Sequence, residues 1–131
     1  MKTYLDTSAL YAILSKRDAF HERATMRYQE LVDGEAELWT NSLVFGEIVA
    51  LVCQRAGRLE GIKVGMWLLD NIRIHWLGED ELREIMRLAE APDEPRLSLV
   101  DWALVYLARQ ENACVFTYDD KMRETDIRIL S

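Results

Sequence analysis

The chain has 131 residues, half of them hydrophobic and 30% charged, which suits one globular domain, 1–131, able to bury its own core. Sixteen Lys and Arg stand against 23 Asp and Glu, for a net charge of −7, so nucleic-acid binding driven by excess basic charge is disfavoured unless divalent cations neutralise some of the acids. No apolar run approaches the roughly 18 residues of a membrane span, the opening Met1-Lys2-Thr3-Tyr4-Leu5-Asp6 turns acidic too early for a signal peptide, and the isolated Cys53 and Cys114 argue against a zinc site or a disulfide framework and for reduced thiols in a cytoplasmic protein.

In chain order, the β-like run at residues 3–5 is followed by helical patterns over 9–14 and 20–32. A short strand at 38–40 precedes helices over 43–55 and 58–69. A strand at 72–76 leads to a helix over 79–91 and to the one loop marked by composition, Ala91-Pro92-Asp93-Glu94-Pro95-Arg96. A helix over 98–111 and strands at 114–117 and 127–130 complete the chain. Strands separated by helices imply right-handed crossovers and a mainly parallel sheet covered on both faces, a three-layer α/β/α sandwich.

Four acids stand where a simple core pattern does not want them. In the helix over 43–55 the apolar stripe Leu43, Val44, Ile48, Leu51, Val52 has one polar slot, Glu47, one turn from both Leu43 and Leu51. A glutamate there points toward the sheet unless the helix end rolls out, and a buried lone carboxylate needs a partner cation; an edge Glu reaching Arg55 or Arg58 is the plainer alternative. Asp101 fills a slot in the stripe Leu97, Val100, Leu104, Val105, Ala108. Ser98-Leu99-Val100-Asp101 also matches a capping box, which by itself accounts for an acid at that position. Asp6 follows the first strand and Asp119 follows Val115-Phe116-Thr117. Strand carboxyl ends are where ligands bind in open parallel sheets, and a turn or cap Asp is equally common there. Asp120 reads as an N-terminal helix charge or an outer neighbour of the site. Taken together, four converging acids require positive charge, and no Lys or Arg occupies a matching inward slot. Hard divalent cations take carboxylate oxygens, with Mg²⁺ typically using a few carboxylates plus water and substrate phosphate, and that is the machinery of phosphodiester hydrolysis.

At these residues the sequence resembles the PIN-domain family of metal-dependent ribonucleases, and most of all the single-domain toxins of VapBC toxin–antitoxin pairs. Tyr4-Leu5-Asp6-Thr7-Ser8-Ala9-Leu10, Asn41-Ser42-Leu43-Val44-Phe45-Gly46-Glu47, Leu97-Ser98-Leu99-Val100-Asp101 and Phe116-Thr117-Tyr118-Asp119 resemble the four motifs of that family in order. The resemblance implies the same α/β/α sandwich, Asp6, Asp101 and Asp119 contacting Mg²⁺ or Mn²⁺, and Glu47 as a ligand directly or through water. It also implies an RNA substrate, a cognate antitoxin protein and a homodimer. Thr7 and Thr117 stand where the family often carries small hydroxyl residues, without an assigned catalytic role. Tyr118 and Met122 replace other bulky apolar residues.

Other classes fit less well. Haloacid-dehalogenase phosphatases need a second Asp two residues after the first, where this chain has Ser8; receivers need an Asp after a central strand, where it has Leu77-Gly78. A stand-alone RNA-processing PIN nuclease would look much the same as a toxin, and a non-catalytic PIN-like scaffold would usually lack some of the acids. His21 and His75 have no ligand spacing. Trp39, Trp67, Trp76 and Trp102 suit core or interface packing, and Arg55 and Arg58 suit the carbonyls at the end of the glutamate helix better than RNA.

Overall fold

A computed structural model describes residues 1–91 and 95–131. The centre of the proline loop, residues 92–94, lies outside the described residues. Five strands, β1 (Lys2–Leu5), β2 (Glu37–Asn41), β3 (Arg73–His75), β4 (Cys114–Phe116) and β5 (Arg128–Leu130), form one sheet in the order β3-β2-β1-β4-β5. Every pairing is parallel, as expected when each strand is followed by a crossover. The helices are α1 (Thr7–Leu14), α2 (His21–Asp33), α3 (Ser42–Ala56), α4 (Arg58–Asn71), α5 (Glu79–Glu90) and α6 (Leu99–Glu111). On one side α1 packs on α2 and α3, and α3 on α4; α5 and α6 pack together on the other. The α/β/α sandwich expected from the alternation of elements is the observed one.

The strand order places a switch point beside β1. The chain runs outward from β1 to β2 and β3, then crosses back to β4 and β5 on the opposite side. Such a reversal opens a crevice at the carboxyl ends of the central strands. Register brings Leu5 opposite Phe116, and the Asp6 amide donates to the Phe116 carbonyl at 3.0 Å. The chain therefore leaves β1 and β4 side by side, carrying Asp6 and Thr117 into the crevice.

Beneath the crevice lies the core, in which Tyr4, Leu5, Val115 and Phe116 are buried together with Leu10 and Ala9 of α1, Ile48 of α3 and Leu104 and Val105 of α6. Tyr4 extends its hydroxyl to Glu111 of α6, donating at 2.5 Å, and Lys2 Nζ reaches the same carboxylate at 2.5 Å. Burial pushes the Glu111 carboxyl up, but these two donors outweigh it and hold it below its ordinary value. The contribution to stability is therefore present above the ordinary carboxylate range and is lost as pH falls through the lowered folded value. Glu111→Gln should cost about 1–2 kcal/mol at neutral pH, and the difference from wild type in denaturant midpoint should shrink as the pH is taken down to the acid limb.

Helix α3 takes the rolled-out orientation, the alternative left open for Glu47. Its buried line is Val44, Ile48 and Val52, whereas Leu43 and Leu51 are half-buried and Glu47 is exposed. The rotation follows from α4, which covers the flank of α3 bearing Phe45, Val49 and Cys53. A single residue, Gly57, joins the two helices with φ +99°, a conformation that a Cβ disfavours. Gly61 and Gly65 then let the helices close: a Cβ on Gly61 would overlap Cys53 Sγ and stand 3.1 Å from the Val49 carbonyl oxygen. Alanine is ordinarily the better helix former, by about 1 kcal/mol. Here Gly61→Ala should instead destabilise by roughly 1–3 kcal/mol because backbone must move, read as a fall in the midpoint of chemical denaturation.

Trp102 is buried as core, whereas Trp76 is 61% exposed and meets the Phe45 ring in a T-shaped arrangement, with centroids 5.8 Å apart. Cys114 is buried against the Thr3 hydroxyl at 3.2 Å, while Cys53 is only partly covered. His21 and His75 are both boundary side chains, bonded to the Ala12 carbonyl and to Glu81 at 2.7 Å. Among the described residues no helix is long and apolar enough to cross a membrane.

Candidate active site

A cleft of about 550 Å³ opens at the switch point, and Asp6, Glu47, Asp101 and Asp119 all line it. Each comes from a different part of the fold, and each is held by donors of its own element or its neighbour.

Asp6 is the residue at which β1 ends and α1 begins. It is 4% exposed and caps α1, accepting from the Thr7 amide at 2.7 Å. Its other oxygen accepts from the Thr117 hydroxyl at 2.6 Å and the Ser8 hydroxyl at 3.2 Å. Burial pushes this carboxyl up to about 6; the Thr117 hydroxyl pulls the other way and the charge of Asp101 adds to the push. The same hydroxyls organise the end of β4. Thr117 Oγ1 accepts from the Asp119 amide at 3.0 Å, and Ser8 Oγ from the Tyr118 amide at 2.9 Å. A two-hydroxyl bridge thus sets the spacing between the segments that carry Asp6 and Asp119.

Asp119 caps a 3₁₀ turn, Asp120–Glu124, accepting from the Lys121 amide at 3.0 Å. Met122 anchors that turn in the core. Asp120 is exposed at its start, beside Arg123 at 3.6 Å, which fits the role of an N-terminal helix charge.

Asp101 both caps its helix and lines the cleft. The Ser98 amide donates to Asp101 Oδ2 at 3.3 Å and the Asp101 amide to Ser98 Oγ at 3.1 Å, a complete capping box on α6. The carboxyl is nevertheless 9% exposed and faces the cleft. Burial raises its proton affinity; Ser98 opposes this, and the charges of Asp119 and Glu47 add to it. Glu47 lies one helix away, on α3, and accepts from the Thr7 hydroxyl. It is the most exposed of the four, on the wall of the cleft rather than under the sheet, because α4 takes the neighbouring flank of α3.

Three of the four acids therefore sit at helix or 3₁₀ N-termini, where free amides and the local dipole favour negative charge. This is how the fold tolerates these carboxylates in one cleft. The donor set is all carboxylate oxygen, the chemistry of a hard divalent cation. Among the described residues no three such groups close into a ligand cluster; they form an open ring of acids around the cleft. The donor chemistry suits a hard divalent cation, but as the side chains stand they do not close on one.

The cleft also holds residues outside the four-acid set. Asp18, Phe20, Tyr11 and Lys121 line it, as does Arg55. Arg55 was expected at the helix carbonyls; its guanidinium lies over the Tyr11 ring, 4.8 Å from its centroid, and the residue lines the cleft. Only the packing of α1 against α3 brings Tyr11 and Arg55 together, and no spacing along the chain signals it.

The sequence profile of the PIN domain matches residues 3–128. The chain belongs to the PIN-domain family. No curated protein matches the sequence, but solved PIN-fold structures do match the coordinates. VapC20 of Mycobacterium tuberculosis, described as a sarcin–ricin loop cleaving toxin, superposes with a TM-score of 0.81 at 20% identity, over 95% of each chain. VapBC2 of Rickettsia felis, solved on a DNA fragment from its promoter, gives 0.76 at 16% identity, over 99% of this chain and 98% of the other. VapBC-1 of nontypeable Haemophilus influenzae gives 0.70 at 16% identity, over 100% and 98%. At such identities the likeness is one of fold, and this PIN domain has the fold of those toxins across its described residues.

Proposed function

We propose that this PIN domain is an endoribonuclease that depends on Mg²⁺ or Mn²⁺, and that it acts as the toxin of a VapBC-type pair, restrained by a cognate antitoxin. The observation that carries the reading is the meeting of Asp6, Glu47, Asp101 and Asp119, from four separate elements, around one cleft at the switch point of the sheet. The toxin role is supported by the fold shared with VapC20 and with the toxin–antitoxin complexes.

Asp6, Asp101 and Asp119 are the residues to hold the cation, with Glu47 completing the set directly or through water. A bound divalent ion supplies the positive charge and Lewis acidity that activate water and offset charge building on the phosphate. The protein's own groups do the positioning. The Ser8–Thr117 bridge keeps Asp6 and Asp119 at a set separation, and Ser98 orients Asp101. Thr7 steers Glu47 toward the cleft from the first turn of α1. Arg55 and Lys121 are the cations lining the same cleft, placed to meet phosphates on either side of the scissile bond.

Cleavage of single-stranded RNA by the purified protein should require added Mg²⁺ or Mn²⁺ and stop in excess EDTA. Undiminished cutting with the chelator, by a preparation in which Asp119→Asn is inactive, would refute metal dependence.

A further inference from the structure

We propose that the ring of Phe20 is a stacking platform for one nucleobase of single-stranded RNA, holding the strand while its phosphate enters the acid cleft; this rests on the ribonuclease reading and names the part of the substrate that the protein grips. Phe20 lies at the mouth of the cleft and is 44% exposed. One face of its ring is stacked on Tyr118, with centroids 4.5 Å apart and planes 11° from parallel. Tyr118 in turn meets the edge of Phe116, which is fully buried on β4. Three rings thus step outward from the sheet to the cleft, and the outermost is 44% exposed.

The backbone beneath that ring is fixed. The Phe20 amide donates to Asp18 Oδ1 at 2.9 Å, its carbonyl accepts from the Ala24 amide at 2.8 Å as α2 begins, and the Asp18 carbonyl accepts from His21 at 3.0 Å. A ring held this way on a second aromatic loses little freedom when a base settles on it, so most of the contact energy appears as affinity.

Charge supplies the physical reason for such a device. Binding of nucleic acid ordinarily draws on phosphate contacts by Lys and Arg. Here the chain carries −7, and its cleft sets Asp6, Asp18, Glu47, Asp101 and Asp119 against Arg55 and Lys121. Stacking on an aromatic ring is independent of charge and tolerant of base identity, and is the source of affinity open to such a site. Asp18 and Lys121 line the same cleft as Phe20, so the exposed ring shares it with charged groups. That suits a planar base rather than the apolar face of a partner helix.

The test uses the full chain, Mn²⁺ and short single-stranded RNA. Cut sites are mapped with wild type, and single-turnover cleavage is then measured against protein concentration for Phe20→Leu, Phe20→Trp and wild type, on the intact strand and on strands abasic at one position near the cut. Phe20→Leu should raise the half-saturating concentration by about fivefold to a hundredfold while leaving the saturated rate close to wild type, and Phe20→Trp should restore it. One abasic position should cost wild type the same factor and cost Phe20→Leu nothing more. Thermal melts run alongside; if Phe20→Leu fails to fold, the abasic strands with wild type and Phe20→Trp decide. Wild-type cutting indifferent to abasic sites overturns the platform, as does Phe20→Leu with unchanged half-saturation or with a loss confined to the saturated rate. A Phe20→Leu protein that cuts normally but no longer holds a protein partner also overturns it. Absence of any metal-dependent cleavage by wild type removes the ribonuclease reading and the platform together, whereas cutting indifferent to Phe20 removes the platform alone.

Discussion

Asp101→Asn should abolish RNA cleavage while leaving the metal-free protein as stable as wild type or more so. The amide keeps the shape of the side chain and its oxygen can still accept from the Ser98 amide, while the backbone bond to Ser98 Oγ is untouched. The capping box therefore survives. What disappears is one of the charges crowded around the cleft, where burial and the charges of Asp119 and Glu47 already disfavour the ionised form. Losing a cation ligand should lower the cleavage rate by at least about a hundredfold, some 3 kcal/mol of transition-state stabilisation. It should also shrink the rise in melting temperature produced by Mn²⁺, since that rise scales with affinity for the folded state. The contrary outcome is well defined. If Asp101 serves only the helix terminus, the amide should cost about 0.5–1 kcal/mol, with cutting and the metal response intact. Melts with and without Mn²⁺, beside one cleavage assay, separate the two.

At Asp6 the informative comparison is between two substitutions. Asp6→Ala removes the α1 cap and the acceptor of the Thr117 and Ser8 hydroxyls in a buried place. The loss of a cap and of hydrogen bonds to a charged group should destabilise by roughly 2–4 kcal/mol, a fall in melting temperature on the order of 10 °C for a chain of this size. Asp6→Asn retains an acceptor for the Thr7 amide, and reversal of one hydroxyl lets its amide nitrogen donate. Its stability should stay near wild type, while cleavage and the Mn²⁺ response are lost as with Asp101→Asn. An Asp6→Ala protein that melts with wild type would mean that the carboxylate does not hold the β1 and β4 ends together, and the geometry assigned to the cleft would fall with it.

Periodicity, the alternation of strand and helix, and the order of the four acid-bearing motifs were sufficient to specify an α/β/α PIN-like sandwich, most element boundaries to within a few residues, and four of the five acids that line the cleft. These are local properties: an acid after a strand or in an apolar stripe is visible wherever the stripe goes. Three things were decided only by the tertiary structure. Asp101 was open between helix cap and cleft residue, and packing of α6 against the sheet lets it be a cap that also lines the cleft, because its N-terminal turn ends in the crevice. Glu47 was open between aiming under the sheet and standing at the edge of its stripe, and it forms a cleft wall. A helix pattern states which faces are apolar but not which neighbour covers each, and the close approach of α4 at Gly61 and Gly65 turned α3. Arg55 and Phe20 reach the cleft through contacts with Tyr11 and Tyr118. Phe20 and Tyr118 stand at opposite ends of the sequence, and the β1–β4 pairing that brings them together is fixed by the register of the whole sheet, which no local stretch of sequence encodes.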